Sequence, residues 1–286
     1  MTELNPHSRA SLHWQSQAVL LAIVPLVAVW VTLEGGQLWD LHNAVLWQGA
    51  ILATALAGLV STTRAATPGA ALTGAIFTAA LWLETPGLHT ALWPLLALLV
   101  LTFSATRFGR RRKEALGIAE ARRGRHASQV AANLGVAALA GIPLSSVHIL
   151  SPTTFNAHAA MAAMIAAMAE ATADTVSSEL GQVLGATPRL ITTLRPVPAG
   201  TDGAVSLAGT LSGCVAAGMV VAVGWTALPL TRVDALLALA AGIAGTLVDS
   251  LLGAVPERHG WLNNDAVNAL STLAAALFAT WLVDWV

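Results

Sequence analysis

Three acidic residues lie close together near the middle of the chain, at the polar end of an alanine-rich apolar run. Residues 170–181 read E-A-T-A-D-T-V-S-S-E-L-G. At 100° per residue, one helical face carries Glu170, Asp174, Ser177 and Ser178. Glu179 joins that face only if the helix ends near Ser177. Because a carboxylate in a membrane helix is costly unless it faces protein, water or a cation, we interpret this segment as a candidate functional site.

The composition is that of a polytopic membrane protein. Of the 286 residues, 56% are hydrophobic and only 10% are charged, against about 25% charged in soluble domains. Ten tryptophans, most of them near the ends of apolar runs, fit interfacial anchors. The lone cysteine, Cys214, is interpreted as a small packed hydrophobe. We predict an all-α bundle of about nine transmembrane helices, from the apolar runs 18–33, 44–60, 69–83, 91–103, 130–150, 158–173, 205–230, 233–255 and 266–286. The run 69–83 is the weakest of them.

A basic loop sets the predicted topology. Residues 107–125 carry eight arginine or lysine residues against two glutamates, so the positive-inside rule places this loop in the cytoplasm. Counting outward predicts a cytoplasmic amino terminus and an outer carboxyl terminus. It also puts Asp174, the loop 200–203, Asp249 and Asp265 on the cytoplasmic face. We therefore expect an integral, multi-pass protein of a bacterial-type inner membrane with a cytoplasmic active site. The predicted organisation is a four-span hydrophobic region, 1–105, and a catalytic membrane region, 106–286.

The acids and the glycine-rich loop suggest phosphate chemistry. Asp174, Asp249 and Asp265, with no lysine expected nearby, are candidate Mg²⁺ ligands, since Mg²⁺ is bound by carboxylate and phosphate oxygens. The alternative is that Asp249 and Asp265 cap helices or pair with arginine. Residues 200–210, G-T-D-G-A-V-S-L-A-G-T, could cradle phosphate with backbone N–H groups. They could equally form a capped helix entry, with Thr201 or Asp202 as N-cap, and both interpretations can hold at once.

The basic loop and two later arginines are candidate phosphate partners. Taken alone, the loop could be only a topology determinant or an anionic-lipid anchor. Its flank carries Asn133 into the next span, as a phosphate-binding rim would need, and Arg195 adds a bidentate donor. The chain has one lysine, Lys113, and no Walker A motif, and its histidines show no zinc-binding spacing.

Several ordered motifs together resemble a known family. They are T-F-S-A-T-R-F-G-R-R-R-K-E-A-L-G (102–117), S-Q-V-A-A-N (128–133), A-D-T-V-S-S-E-L-G (173–181), P-R-L-I-T-T (188–193), P-A-G-T-D-G-A-V-S-L-A-G-T (198–210), V-D-S-L-L-G-A (248–254) and N-N-D-A-V-N (263–268). This set resembles the integral membrane family that holds the plant and cyanobacterial phytyl-phosphate kinases and animal transmembrane protein 19. The resemblance implies phosphorylation of a prenyl monophosphate to the diphosphate.

A looser similarity links the same blocks to the CTP-using membrane enzymes dolichol kinase, phytol kinase and CDP-diacylglycerol synthase. Asp174 with Gly181 resembles their first block, 198–203 the second, and Asp249 with Asp265 the third. The second block's lysine and glutamate are absent from this sequence, which leaves the nucleotide, CTP or ATP, open.

These observations lead to the hypothesis of a Mg²⁺-dependent kinase acting on a prenyl (phytyl or polyprenyl) monophosphate. The predicted catalytic residues are Asp174, Glu179, Asp249 and Asp265, of which the three aspartates hold Mg²⁺. The predicted phosphate-binding residues are Arg107, Arg111, Arg122, Asn133, Arg195, Gly200, Thr201, Asp202, Gly203 and Asn264. The small-residue faces of spans five to seven are expected to leave a groove for the isoprenoid tail.

Two other functions fit the same pattern. They are a transporter of an anionic or phosphorylated solute and a CDP-lipid cytidylyltransferase. Acids grouped at one face favour an enzyme over a transporter. The expected partners are a nucleoside triphosphate and a lipid phosphate within the membrane, with no nucleic acid, and a homo-oligomer is compatible with the sequence.

Overall fold

The computed structural model describes residues 12–115, 117, 124–145, 156–184 and 187–286. Its elements in chain order are α1 (His13–Asp40), α2 (Ala44–Thr62), α3 (Pro68–Glu84), α4 (Leu92–Arg107), α5 (Arg110–Ala115), α6 (Ala127–Ser145), α7 (Ala157–Leu184), β1 (Arg189–Leu190), β2 (Ala204–Val205), α8 (Leu207–Ala227), α9 (Arg232–Leu252), a π-helical turn (Gly253–Glu257) and α10 (Asn264–Trp285). The two short strands pair antiparallel. The prediction of an all-α membrane bundle is confirmed.

Each predicted apolar run coincides with one of the long helices. Among the described residues, seven helices are long and apolar enough to cross a membrane, namely α1, α2, α6, α7, α8, α9 with its π-helical extension, and α10. Helix α4 is apolar but shorter, at 16 residues, and α3 has 17 residues. The weakest predicted run thus corresponds to a short helix. Residues 146–150 of the fifth run lie outside the described residues.

Hydrogen-bonding side chains fix where several helices begin. Ser206 Oγ accepts the N–H of Gly209 at the start of α8, and Asn263 Oδ1 accepts that of Ala266 at the start of α10. Each bond satisfies a backbone donor that the first helical turn leaves without an intrahelical partner. The expectation that Thr201 or Asp202 caps α8 was wrong, because a short strand separates the glycine-rich loop from the helix.

Helix α7 is the buried centre of the bundle. It packs against α4, α6, α8, α9 and α10, and its alanine and methionine run is almost wholly buried. Glycines on α8 allow the closest approach: a Cβ at Gly209 would lie 2.5 Å from the carbonyl oxygen of Ser177, and one at Gly213 would lie 2.8 Å from that of Ala173. The predicted small-residue faces are therefore used for close packing. Helix α7 also continues to Leu184, so the condition of a helix end near Ser177 is not met.

The starts of α1, α3, α6, α8 and α10 lie at the same end of the bundle as the ends of α2, α4, α7 and α9. Contacts between distant segments show this. Gln15 Nε2 donates to the carbonyl oxygen of Trp261 at 2.8 Å, and the N–H of Thr67 donates to that of Arg125 at 3.0 Å. We call this the polar end. It contains Asp174, the loop 200–203, Asp249 and Asp265, as predicted. Its cytoplasmic location rests on the basic loop and stays a prediction.

The opposite end is joined by its own polar contacts. Asn156 Nδ2 donates to Asp284 Oδ1 at 2.9 Å, and His158 Nδ1 lies 2.8 Å from Asp234 Oδ2. The hydrophobic core runs between the two ends and combines residues from both halves of the chain. The predicted division of the chain at residue 105 concerns function. The hydrophobic core does not follow that division, because residues from both regions contribute to it.

Candidate active site

Two aspartates from different helices face each other at the polar end. The carboxyl groups of Asp174 on α7 and Asp249 on α9 lie close enough to interact directly. Ser271 Oγ of α10 donates to Asp249 Oδ2 at 3.2 Å. Helices α7, α9 and α10 pack directly together, which fixes this arrangement. The predicted convergence of Asp174 and Asp249 is therefore seen in the structure.

A third carboxylate, Glu170, lies one helical turn deeper on α7. It is 1% exposed, it interacts electrostatically with both Asp174 and Asp249, and within the described structure its Oε1 has no hydrogen-bond partner. Gly245 makes room for it, because a Cβ there would lie 2.7 Å from Glu170 Cγ. Glu170 was not among the predicted catalytic residues, although the shared face with Asp174 was the signal that could have included it.

The aspartate pair lines a polar pocket of about 300 Å³ between α7, α8, α9 and the glycine-rich loop. Its lining includes Asp174, Ser177, Ser178, Gln182, Gly200, Thr201, Asp202, Gly203, Ser206, Thr246, Asp249, Ser250, Glu257 and Asn264. Five predicted phosphate-binding residues, from the loop and the start of α10, thus lie around the same pocket as the aspartates. Cys214, interpreted as a packed hydrophobe, is half-buried and also lines this pocket.

The glycine-rich loop is held against the end of α9. Gly203 has φ +70°, and a Cβ there would lie 2.2 Å from the backbone nitrogen of Ala254. Some of the loop's own donors are used internally, since the N–H of Thr201 donates to Pro198 at 3.3 Å and that of Ala204 to Thr201 at 3.1 Å. A larger residue at position 203 would collide with the π-helical turn, so glycine is required for this close approach. The loop forms one wall of the polar pocket.

Lys113 pairs with one of the predicted catalytic acids, Glu179. This side chain is 1% exposed, and its Nζ donates to the carbonyl oxygens of Ala105 at 3.2 Å and Thr106 at 2.8 Å and to Glu179 Oε2. These three bonds use all the donors of the ammonium group. Glu179 is thus engaged in tying α5 to α7 and is not part of the polar pocket lining.

The predicted phosphate-binding arginines are dispersed. Arg107 stacks on Phe103, with 3.9 Å from its guanidinium carbon to the ring centroid. Arg111 and Arg195 are exposed and do not line the polar pocket or the apolar cavity between α2, α3, α4 and α6. Arg122 lies outside the described residues. Asn133 is buried in α6, where its Oδ1 accepts from Asn268 Nδ2 at 3.0 Å.

Arg125, the last residue of the basic loop, was not among the individually predicted phosphate-binding residues, yet the structure places it within electrostatic reach of one of the acids. Its backbone is pinned by two hydrogen bonds, from its N–H to Ala65 at 3.0 Å and from the N–H of Thr67 to its carbonyl oxygen at 3.0 Å. Its charge acts on Asp174. The sequence offers no signal for this position, because the pairing with residues 65–67 brings together segments about 60 residues apart.

Of the three predicted Mg²⁺ ligands, only Asp174 and Asp249 are placed together. Asp265 is buried in the first turn of α10 and is not brought into the polar pocket. Across the described ranges, no group of three histidine, cysteine or acidic side chains is placed to hold a metal ion. The carboxylate pair of Asp174 and Asp249, with the unpartnered oxygen of Glu170 beside it, fits Mg²⁺. This ion is usually bound by one or two carboxylates and completes its shell with water and phosphate.

A second, apolar cavity of about 320 Å³ lies between α2, α3, α4 and α6 at the same end. Most of its lining is aliphatic, and its rim is basic. The rim residues are Arg64, Arg107, Arg110 and Arg125. Arg125 therefore borders the apolar cavity, and its charge also acts on Asp174 of the polar pocket.

Comparison with known proteins decides the family. A family model described as integral membrane protein DUF92 matches residues 51–276. The chain belongs to this family. An uncharacterised membrane protein of Methanocaldococcus jannaschii is 42% identical over 43% of this chain and 51% of its own length. An uncharacterised membrane protein of Synechocystis is 36% identical over 62% of this chain and 67% of its own length.

A plant relative extends the comparison. Protein VTE6, chloroplastic, of Arabidopsis thaliana is 32% identical over 64% of this chain and 55% of its own length. The matched region is thus about half the length of the archaeal and plant relatives. No solved structure matches the chain. The family match confirms the resemblance seen in the motifs.

Proposed function

We propose that this DUF92 protein transfers the terminal phosphoryl group of a nucleoside triphosphate to a prenyl monophosphate, giving the prenyl diphosphate. The observation that carries the proposal is the presence of two cavities at the same end of a membrane bundle. One is an acid-lined polar pocket and the other an arginine-rimmed apolar cavity, and the charge of Arg125 on the rim acts on Asp174 in the pocket. A water-soluble phosphate donor suits the first cavity and an anionic lipid suits the second.

This phosphoryl transfer needs little covalent participation by the protein. An oxygen of the lipid monophosphate attacks the γ-phosphorus, a new P–O bond forms, and the bond to the β-phosphate oxygen breaks, so that a nucleoside diphosphate leaves with the electron pair. The attacking oxygen already carries negative charge, so no general base is needed. Rate then depends on in-line positioning and on neutralising charge. Arg125 and Arg107 would neutralise the acceptor phosphate, and the loop 200–203 would border the donor phosphates.

The aspartates suit the role of metal ligands. Asp174 and Asp249 would hold Mg²⁺, with Glu170 beside them and Ser271 orienting Asp249. When bound, Mg²⁺ supplies charge neutralisation at the phosphate oxygens. The proposal places Asp265, buried in α10, and Glu179, paired with Lys113, in structural roles, in contrast to the predicted ligand set.

Two further facts support the proposal. The motifs resemble those of a family that holds phytyl-phosphate kinases, and the family match covers the polar pocket and the apolar cavity. The candidate site also lies within apolar helices, where a lipid acceptor is present at high local concentration.

The test is a transfer assay. Purified full-length protein in lipid nanodiscs is mixed with phytyl monophosphate, Mg²⁺ and γ-labelled CTP or ATP, and the label is followed into the lipid. Transfer from one nucleotide is expected. Asp174→Asn and Asp249→Asn should each lower the rate by about 100-fold or more, because each removes a charge on which the metal depends. Asp40→Asn, an exposed carboxylate at the opposite end, is the matched control and should leave the rate unchanged.

The products separate this reaction from the other two functions. A cytidylyltransferase would release pyrophosphate from CTP and leave the cytidine on the lipid, so an α label and not a γ label would enter the lipid fraction. A transporter would move solute across sealed vesicles with no labelled lipid. Absence of γ-label transfer with both nucleotides, with lipid and nucleotide each still bound, would end the kinase proposal.

A further inference from the structure

We propose that the apolar cavity between α2, α3, α4 and α6 binds the single hydrocarbon chain of the acceptor lipid, and that Gly74 sets the length of chain that fits. The identity of the occupant as a phosphate acceptor rests on the proposed function. The location of the site and the role of Gly74 rest on the cavity itself. Neither was expected from the sequence, which pointed to the faces of α6, α7 and α8.

The arginine side chains at the rim of the cavity favour the binding of an anion. Arg64 follows α2, Arg107 ends α4 and Arg125 precedes α6. All three line the polar end of the cavity, together with Arg110, which also pairs with Glu114 at 3.1 Å. Lys113, also in the lining, is neutralised by Glu179. None of the described residues that line the cavity is acidic. A phosphate group matches this charge and the bidentate geometry of arginine.

The depth of the cavity matches a membrane lipid chain. Its lining on α4 runs from Arg107 to Leu95, which at 1.5 Å per residue is about 18 Å. One leaflet contributes about 15 Å of hydrocarbon to a bilayer core of about 30 Å. A lipid whose phosphate lies at the arginine rim would therefore place its chain along the cavity at the depth that it already occupies in the bilayer.

The cavity opens sideways to the bilayer. Leu59, Leu96 and Val100 line it, yet each is more than 40% exposed. Helix α4 packs mainly on α7 and α8 and makes little contact with α3, so the cavity fills the gap that this leaves. A lipid can enter through that gap without crossing water. The volume of about 320 Å³ is at the lower end of the range for small-molecule sites, which suits one chain better than two.

Gly74 lies in the lining of this cavity on α3. A Cβ added there would meet no atom within 4 Å, so a larger side chain can extend into the cavity without striking the backbone. Gly58 on α2 is the matched control, since a Cβ there also meets nothing within 4 Å, but the residue is exposed and does not line the cavity.

The experiment measures binding, so that it does not depend on catalysis. Wild type, Gly74→Phe and Gly58→Phe are purified as full chains and titrated with radiolabelled phytyl monophosphate and, separately, with labelled CTP and ATP. Gly74→Phe should weaken phytyl monophosphate binding about tenfold or more while retaining the shorter geranyl monophosphate. Gly58→Phe should bind both lipids as wild type does, and nucleotide binding should be the same in all three.

A second variant tests the rim. Arg64→Gln/Arg107→Gln should lower the affinity for phytyl monophosphate about tenfold or more and leave the affinity for uncharged phytol unchanged. Equal loss for both lipids would overturn the placement of the phosphate at this rim. This variant carries the test if Gly74→Phe does not fold.

Three other results would overturn the proposal. They are unchanged phytyl monophosphate binding in Gly74→Phe, an equal loss in Gly58→Phe, and full displacement of phytyl monophosphate by an equal concentration of two-chain phosphatidic acid. If binding behaves as expected but no phosphoryl group is transferred, the lipid site stands and the kinase proposal fails.

Discussion

Among the described residues, two buried glutamates, Glu170 and Glu84, have carboxylate oxygens without a hydrogen-bond partner. Glu170 is beside the aspartate pair, whereas Glu84 ends α3 far from it. A buried polar group without a partner is costly, so each one calls for an explanation. For Glu170 the explanation is its position: a cation bound by Asp174 and Asp249 would also be stabilised by the charge of Glu170.

Glu170→Gln should therefore weaken Mg²⁺ binding. The Mg²⁺ concentration for half-maximal phosphoryl transfer is expected to rise about 10-fold or more, the usual effect of changing a residue that supports metal ligands. The measurement is the transfer rate as a function of free Mg²⁺. Glu84→Gln removes an equally buried carboxylate at the other end and should leave the Mg²⁺ dependence unchanged. The same curve for Glu170→Gln and wild type would contradict a metal at the aspartate pair.

Lys113 holds the basic segment on the bundle, and its removal should destabilise the fold. Lys113→Met leaves the largely buried Glu179, whose side chain is 14% exposed, without its partner, at an expected cost of about 2–4 kcal/mol. Lys113→Met/Glu179→Leu should recover most of that loss, because both charges are then gone. Thermal unfolding in detergent measures both variants. Arg110→Met, which breaks only the exposed pair with Glu114, should cost at most about 1 kcal/mol. A loss in Lys113→Met no larger than that would argue against the buried pair.

At the scale of elements, the contact between α7 and α8 determines the shape of the polar pocket. Both helices contribute to its lining, and their separation is set by glycines. Helix α8 carries a second kind of glycine, Gly218, at which a Cβ would meet no atom within 4 Å. One helix thus contains both a glycine needed for packing and one that packing does not need.

Gly209→Ala and Gly218→Ala should therefore have opposite effects on stability. The first places a methyl group against the carbonyl oxygen of Ser177 and should destabilise the protein by about 1–3 kcal/mol. The second should be neutral or stabilising by up to about 1 kcal/mol, because alanine favours helix more than glycine does. Denaturant titration of the purified variants gives both values. Equal effects would show that α7 and α8 do not approach as closely as described.

The nine long helices of the described residues could be predicted from the sequence because each one contains a continuous apolar stretch, whereas the basic helix α5 does not. The meeting of Asp174 and Asp249 was also predictable, since the alternation of helix directions places the polar second half of α7 and the end of α9 at the same end of the bundle. The pair of Lys113 and Glu179 was not, because 66 residues separate them and only the fold of α5 onto α7 unites them. The apolar cavity could not be predicted either: it arises where α4 fails to pack on α3, which no single segment encodes.

The connections between helices lie at the two ends of the molecule, and the end at which a connection lies can be tested directly by labelling. In a Cys214→Ser background, Thr201→Cys and Asn264→Cys should react with an impermeant maleimide from one side of a sealed membrane. His42→Cys and Leu88→Cys should react only from the other side. The basic loop predicts that the first pair faces the cytoplasm. Labelling of Thr201→Cys and Asn264→Cys from different sides would contradict the described arrangement.

The first helix is fastened to the last by a cluster of polar contacts at the polar end. The N–H of Asn263 donates to Gln15 Oε1 at 2.8 Å, and Asn263 Nδ2 donates to the carbonyl oxygen of Leu12 and to Ser16 Oγ. These partners are about 250 residues apart in the chain. During synthesis, Gln15 must therefore wait for nearly the whole polypeptide to leave the ribosome before it gains its native partners. A chain halted before Asn263 therefore leaves the side-chain amide of Gln15 without these partners and the first helix unattached to the last.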